Sequence, residues 1–291
     1  MKNLIYSTLA LLFAASLLSW QWSKNQHPTI DKKEVIECLN METQQAYQLE
    51  ASTPAFAAMH PNPLVVNPEN LLGKMIEFEA ADGKQAYAYF IPAKKKTNKY
   101  LIVIQEWWGL NDNVKMESDK YYTDLGNVNV IAVDMYDGKV AATPDSAMKL
   151  MRGANMERMT AIMQGAIKYA GSKAAIYSVG WCFGGMWSLQ TAILAGPQAK
   201  GSVMYYGRPE TNMEKLKSIQ CDIIGFFGNK DQSPSPAMVN AFEQNMKDAG
   251  KNLSVNRYDA GHGFANPSNP SFNAAAKEDA YAKSIAFLKA H

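Results

Sequence analysis

Cys182 is the residue in this chain best placed to do chemistry. It stands in Gly180-Trp181-Cys182-Phe183-Gly184-Gly185, after the apolar, β-leaning run Ile176–Val179 and before Met186–Ala192, which reads as a helix. Glycines two residues before and two after it let the backbone crowd into a sharp strand-to-helix turn, with the middle side chain raised above the sheet. A thiol so presented is a nucleophile for acyl transfer, and the plain alternative is a small buried cysteine in a glycine-rich turn.

A thiol nucleophile needs a base, and the base needs a carboxylate to orient it. The chain has four histidines. His27 follows the first apolar segment, His60 lies in a proline-rich lead-in, and His291 is the last residue. That leaves His262, in Asp259-Ala-Gly-His-Gly-Phe264, directly after a β-run and between glycines that allow a tight loop. The acid should fall between nucleophile and base and follow a strand. Asp231, at the end of Phe226-Phe-Gly-Asn-Lys-Asp231, meets both conditions, whereas Asp222 begins its strand and so faces the other edge of the sheet. The order Cys182, Asp231, His262 is the order of an α/β-hydrolase triad. By the same turn geometry the backbone N–H of Phe183 points where an oxyanion would form, at a helix N-terminus whose dipole also favours thiolate.

The elements that must hold these groups are legible as alternating β and α units. Met75–Glu79 and Gln85–Ile91 alternate like a hairpin, and apolar runs follow at Tyr100–Ile104, Val128–Val133, Ala175–Val179, Ser202–Tyr206, Ile223–Phe227 and Leu253–Tyr258. Helical stretches lie near 115–125, 145–170, 183–195, 236–249 and 274–289. This alternation predicts a mostly parallel central sheet with helices on both faces, and an active site past the carboxyl ends of the strands.

Four motifs in order, Gln105-Glu-Trp-Trp-Gly109, Gly180-Trp-Cys-Phe-Gly-Gly185, Gly228-Asn-Lys-Asp231 and Gly261-His-Gly-Phe264, resemble the dienelactone hydrolase family of α/β-hydrolases, from about residue 75 to the end. The resemblance implies an α/β-hydrolase fold and hydrolysis of an ester or lactone. It also implies a role for Glu106: in such enzymes the matching glutamate pairs with the resting cysteine and yields as substrate arrives. A carboxylate beside a thiol raises its pKa, which would shield it from oxidation between turnovers. The second oxyanion N–H is, by resemblance, that of Trp107. Trp107, Trp108, Tyr136 and Trp181 are candidates to line the pocket or, equally, to be core. Two arginines that clamp a substrate carboxylate in the family are missing, since Gly138 and Asn266 stand at their places. Arg152 and Arg208 are the candidates to replace them.

Composition agrees with a globular chain: 291 residues, 47% apolar, net charge +2. Lys94-Lys95-Lys96 is the only basic run, so nucleic acid is not an expected partner. Lys2 followed by the uncharged apolar stretch Leu4–Leu18 reads as an export signal, cleaved or kept as an anchor with Trp20 and Trp22 at the interface. The expected organisation is residues 1–22 signal or anchor, 23–70 a polar, proline-rich lead-in with a helix over Glu34–Leu49, and 71–291 the hydrolase domain. The expected location is periplasmic or secreted, with membrane contact only through the N-terminus. Of the three cysteines, Cys38 and Cys221 form the one disulfide that spares Cys182; Cys221 also reads as an ordinary core residue. No His/Cys/Asp cluster has ligand spacing, so neither metal nor organic cofactor is expected. A monomer acting on a small-molecule ester or lactone is the expectation. The alternative is a non-catalytic binding or scaffold protein on the same fold, against which the intact Cys182, Asp231, His262 and Glu106 weigh. A thiol-redox protein would want a resolving cysteine, and no C-x-x-C is present.

Overall fold

The computed structural model describes residues 42–64 and 68–291. Its centre is an eight-stranded sheet of β1 (Lys74–Glu79), β2 (Gln85–Ile91), β3 (Lys99–Ile104), β4 (Asn129–Val133), β5 (Ala175–Trp181), β6 (Ala199–Tyr205), β7 (Asp222–Gly228) and β8 (Leu253–Tyr258). The spatial order is β1-β2-β4-β3-β5-β6-β7-β8. β2 pairs antiparallel with β1 and β4, and every pair from β4 to β8 is parallel. β4 is buried at every position and β3 and β5 nearly so, as expected for strands covered on both faces; β1, at an edge, buries only Phe78.

The described part of the lead-in begins at Glu42. It forms α1 (Thr43–Ala51) and α2 (Pro54–Ala58), and residues 42–291 make one compact unit. Thr53 caps α2 by accepting from the Phe56 N–H, with Pro54 at the first helical position, a start signal readable in the sequence. Tyr47, Ala51 and Phe56 are buried in the core beside residues of the sheet domain. The lead-in is thus no appendage to a domain that begins near residue 71. The expected export segment, the first part of the Glu34–Leu49 helix and Cys38 lie outside the described residues. No helix among the described residues is long and apolar enough to cross a membrane.

The other α-helices among the described residues are α3 (Asp112–Leu125), α4 (Pro144–Arg152), α5 (Met156–Ala170), α6 (Phe183–Ala195), α7 (Met213–Ser218), α8 (Pro236–Asp248) and α9 (Ala274–Ala290). The single helix expected over 145–170 is two. α4 ends at Gly153, and Asn155 starts α5 afresh by accepting from the Arg158 N–H. α6 is buried almost all round because it lies against β3, β5 and β6, which accounts for its uniformly apolar sequence.

Candidate active site

The turn between β5 and α6 is set by close backbone contacts. Cys182 has φ 56° and ψ −113°, a left-handed conformation costly for a residue with a Cβ. Neighbouring glycines make it possible. A Cβ on Gly180 would lie 2.2 Å from the carbonyl oxygen of Gly184, and one on Gly184 would lie 2.3 Å from that of Ile104, at the end of β3. The Cys182 N–H donates to the Tyr205 carbonyl at 3.0 Å, tying the turn to the end of β6. Phe183 is the first residue of α6, so its N–H is among those without an intrahelical acceptor.

The loops after β7 and β8 bring Asp231 and His262 to this turn. His262 Nε2 is 3.1 Å from Cys182 Sγ, and His262 Nδ1 donates to Asp231 Oδ2 at 2.9 Å. Asp231 Oδ1 accepts from the Ser233 N–H at 2.9 Å, which fixes the carboxylate. Burial by itself lowers the pKa of His262, but Cys182 and Asp231 outweigh it and hold the value well above that of a free imidazole. An imidazole so raised is suited to take up the proton that Cys182 gives on attack.

Two further polar side chains among the described residues come within hydrogen-bonding reach of the sulfur, both from the lead-in. Tyr47 Oη lies 3.2 Å from Cys182 Sγ and His60 Nε2 lies 3.8 Å away. Burial, and then the adjacent Cys182, push the Tyr47 pKa well up, so the phenol keeps its proton beside the sulfur. The Phe56 carbonyl accepts a hydrogen bond from His60 Nδ1 at 2.7 Å, which leaves the Nε2 lone pair facing the thiol. Burial, helped by His262, lowers the His60 pKa to about 3, so the ring is neutral. Phe56 stacks on His60 at 4.1 Å between ring centroids and meets Trp107 edge-on at 5.1 Å. Together these side chains roof the nucleophile, and Cys182 is only 1% exposed. Setting His60 aside for its proline-rich surroundings therefore misses a neighbour of the thiol. The readable hint was the Thr53-Pro54 helix start just ahead of it.

The roof is pinned along its length. Thr43 Oγ1 donates to the buried Glu210 at 2.6 Å, and Gln48 Nε2 donates to the carbonyls of Met151 and Ala154 at 2.9 and 2.8 Å. Arg152 donates to the Ser52 carbonyl, and Arg208 pairs with Glu50. The two arginines considered as substrate clamps thus hold the roof instead.

Glu106 does not pair with the thiol in this structure. Its Oε2 accepts from Asn266 Nδ2 at 2.7 Å, its Oε1 has the Tyr206 hydroxyl at 3.5 Å, and Tyr47 takes the position beside the sulfur. Burial raises the Glu106 pKa, opposed by His262, Asn266 and Tyr206. The carboxylate lines a cavity of about 280 Å³ with Trp108, Trp181, Tyr206, Asn266 and Lys277. A much smaller void is lined by His60, Glu106 and His262 among others, and shares Glu106, Trp108 and Asn266 with that cavity. Of the aromatic pocket candidates, Trp108 and Trp181 line the cavity. Trp107 is fully buried beneath Phe56 with its Nε1 unpartnered, and Tyr136 packs on Phe183 at 5.7 Å with its hydroxyl unpartnered among the described residues.

The sequence has known relatives. Residues 85–291 match the profile described as the Dienelactone hydrolase family. Protein usf of Aquifex pyrophilus is 28% identical over 231 residues, 75% of this chain and 98% of that protein. Carboxymethylenebutenolidase 1 of Cupriavidus pinatubonensis is 25% identical, over 75% of this chain and 97% of its own. Among solved structures, a dienelactone hydrolase-like promiscuous phosphotriesterase from metagenomic libraries superposes with a TM-score of 0.63 at 20% identity, covering 75% of this chain and 98% of that one. An esterase of Pyrococcus furiosus does so with a TM-score of 0.58 at 14% identity, covering 79% and 97%.

Proposed function

Because this chain belongs to the dienelactone hydrolase family, as a hydrolase of esters or lactones on an α/β-hydrolase fold, we propose that it works through a Cys182-His262-Asp231 triad and a thioester acyl-enzyme. The observation that carries the reading is the line of contacts from Sγ to Nε2 at 3.1 Å and from Nδ1 to Asp231 at 2.9 Å, at a turn held in a strained conformation. Cys182 attacks the acyl carbonyl, and the N–H groups of Phe183 and Trp107 take the developing oxyanion. His262 passes its proton to the leaving alkoxide, which departs as the alcohol. It then deprotonates the water that releases the acid and regenerates the thiol.

The substrate is a small ester or lactone taken first into the cavity of Trp108, Trp181 and Tyr206. Arg152 and Arg208 are spent on the roof, and Gly138 and Asn266 offer no guanidinium, so a bidentate carboxylate clamp is lacking. A neutral acyl group therefore suits the site better than an anionic dienelactone. Because Cys182 does not line the cavity, α1 and α2 must shift for the carbonyl to reach the sulfur. The chain acts as a monomer exported by residues 1–22.

The test is hydrolysis of an activated phenyl ester, a neutral lactone and an anionic dienelactone by the wild type and by Cys182→Ala. Turnover that vanishes with the thiol, and that prefers the neutral substrates, is the expected result. Turnover that survives the substitution, or none in either protein, moves the assignment to a binding scaffold on the same fold.

A further inference from the structure

Spacing along the chain shows no metal site, but folding builds a three-donor cluster from distant segments. Cys182 Sγ, His262 Nε2 and a ring nitrogen of His60 all lie within 4.8 Å of one another, and all three residues are buried. Two Zn²⁺ ligands in a tetrahedral site, one sulfur at about 2.3 Å and one nitrogen at about 2.0–2.1 Å from the ion, stand about 3.6 Å apart. The two sulfur–nitrogen distances here, 3.1 Å to His262 and 3.8 Å to His60, straddle that separation.

The two imidazoles are also oriented as ligands are. Metal-binding histidines donate one ring N–H to a carboxylate or backbone carbonyl, which fixes the tautomer and aims the other lone pair at the ion. His262 makes that bond from Nδ1 to Asp231 at 2.9 Å, and His60 makes it from Nδ1 to the Phe56 carbonyl at 2.7 Å. Each leaves Nε2 for the centre of the cluster. Ester hydrolysis uses only one of these rings, so the proposed reaction does not account for the second.

We propose that His60, Cys182 and His262 form a Zn²⁺ site built across the roof and the catalytic turn, and that Zn²⁺ bound there shuts off the hydrolase. Imidazole and thiolate donors without carboxylate in the cluster select a borderline-soft ion over Mg²⁺ or Ca²⁺. Binding replaces the single proton shared between Sγ and His262 Nε2, which is released to solvent. The Sγ–Zn and two Nε2–Zn bonds form, and no oxidation state changes. The Tyr47 hydroxyl, 3.2 Å from Sγ, borders the fourth position. With its sulfur and its base both bound to the ion, the triad has neither a free thiol nor a free base, and the ion would staple the roof shut through His60 and so keep the substrate carbonyl out.

Titration of the full chain with Co²⁺ as a spectroscopic stand-in tests this without turnover. A sulfur-to-cobalt charge-transfer band that saturates at one ion per chain, and that Zn²⁺ displaces, is expected. Cys38→Ser/Cys221→Ser should keep the band. His60→Asn should weaken binding by at least ~100-fold, since losing even an outer-shell partner costs about 10–100-fold. X-ray absorption of the Zn²⁺-loaded wild type, which needs no variant, should show one sulfur and imidazole nitrogens around the metal. In the ester assay, Zn²⁺ should inhibit with the same midpoint and a chelator should restore the rate. An absent band, a first shell without sulfur, or affinity unchanged in a folded His60→Asn protein would each overturn the site. Failure of the triad reading would show instead as no turnover in the metal-free protein while the band remains.

Discussion

Phe56 is the side chain on which closure of the roof most depends. It is 2% exposed and is the ring against which His60, Trp107 and Tyr47 all pack, the last edge-on at 5.8 Å. Replacing a buried Phe with Ala costs about 3–5 kcal/mol. The polar pins at Thr43, Gln48, Arg152 and Arg208 do not involve Phe56, so the loss falls on docking of α2 rather than on the sheet. At the lower figure, about 3 kcal/mol multiplies the population of locally opened molecules by ~10². Alkylation of Cys182 by iodoacetamide, followed by mass spectrometry of the Cys182 peptide, reads that population directly. In protein first reduced to open any Cys38–Cys221 bridge, Cys221, a half-buried thiol in the same compact unit whose pKa burial pushes up to about 12, serves as a control for global unfolding. Phe56→Ala should raise Cys182 labelling by ~10² while Cys221 labelling stays slow. Unchanged labelling of Cys182 would refute the view that α1 and α2 control access, and a parallel rise at both cysteines would show that the whole domain had loosened.

Glu106→Gln should leave the alkylation rate of Cys182 unchanged while altering KM, because the carboxylate is engaged with Asn266 and Tyr206 rather than with sulfur; faster labelling would restore the gating role the resemblance implies. Gly184→Ala should destabilise the protein by roughly 2–3 kcal/mol, or about 5–10 °C in Tm, since the new Cβ would meet the Ile104 and Gln105 carbonyls at 2.3 and 2.5 Å; a normal melting curve would refute the packing argument. Glu210 sets an acid dependence. Burial works against its charge, but hydrogen bonds from Thr43, the Asn212 N–H and Gln190, with Lys215 nearby, outweigh this and hold its pKa below the ordinary carboxylate value. The unfolded chain therefore takes up the proton first as pH falls. Stability from Glu210 is full above the unfolded value of about 4.5 and is lost as pH drops through the lower folded value. Melting followed from about pH 6 to 3 should show Glu210→Gln less stable near neutrality but with a shallower acid decline. Parallel curves would mean that Glu210 does not carry the effect.

Much of this molecule is written locally. The glycines around Cys182, the apolar β-runs and the order of nucleophile, acid and base each depend on a few adjacent residues, and the structure places Asp231 and His262 at the turn that those residues shape. The break of the 145–170 segment was also local, carried by Gly153 and Asn155, but continuous helical periodicity on both sides hid it. What surrounds the thiol is different in kind. Tyr47 and His60 reach Cys182 across 135 and 122 residues, and Asn266 reaches Glu106 across 160. Nothing in the spacing of a polar, proline-rich segment says which surface it will cover. That depends on where buried Glu210, the end of α4 and the ring of Trp107 stand once the sheet has formed. The sequence by itself determined the strand-turn-helix that presents the thiol and the loops that carry its partners. Only the tertiary structure decided that the thiol is roofed, that Glu106 is bonded to Asn266 rather than to the thiol, and that a second imidazole meets it, because those contacts join segments whose local patterns are independent of one another.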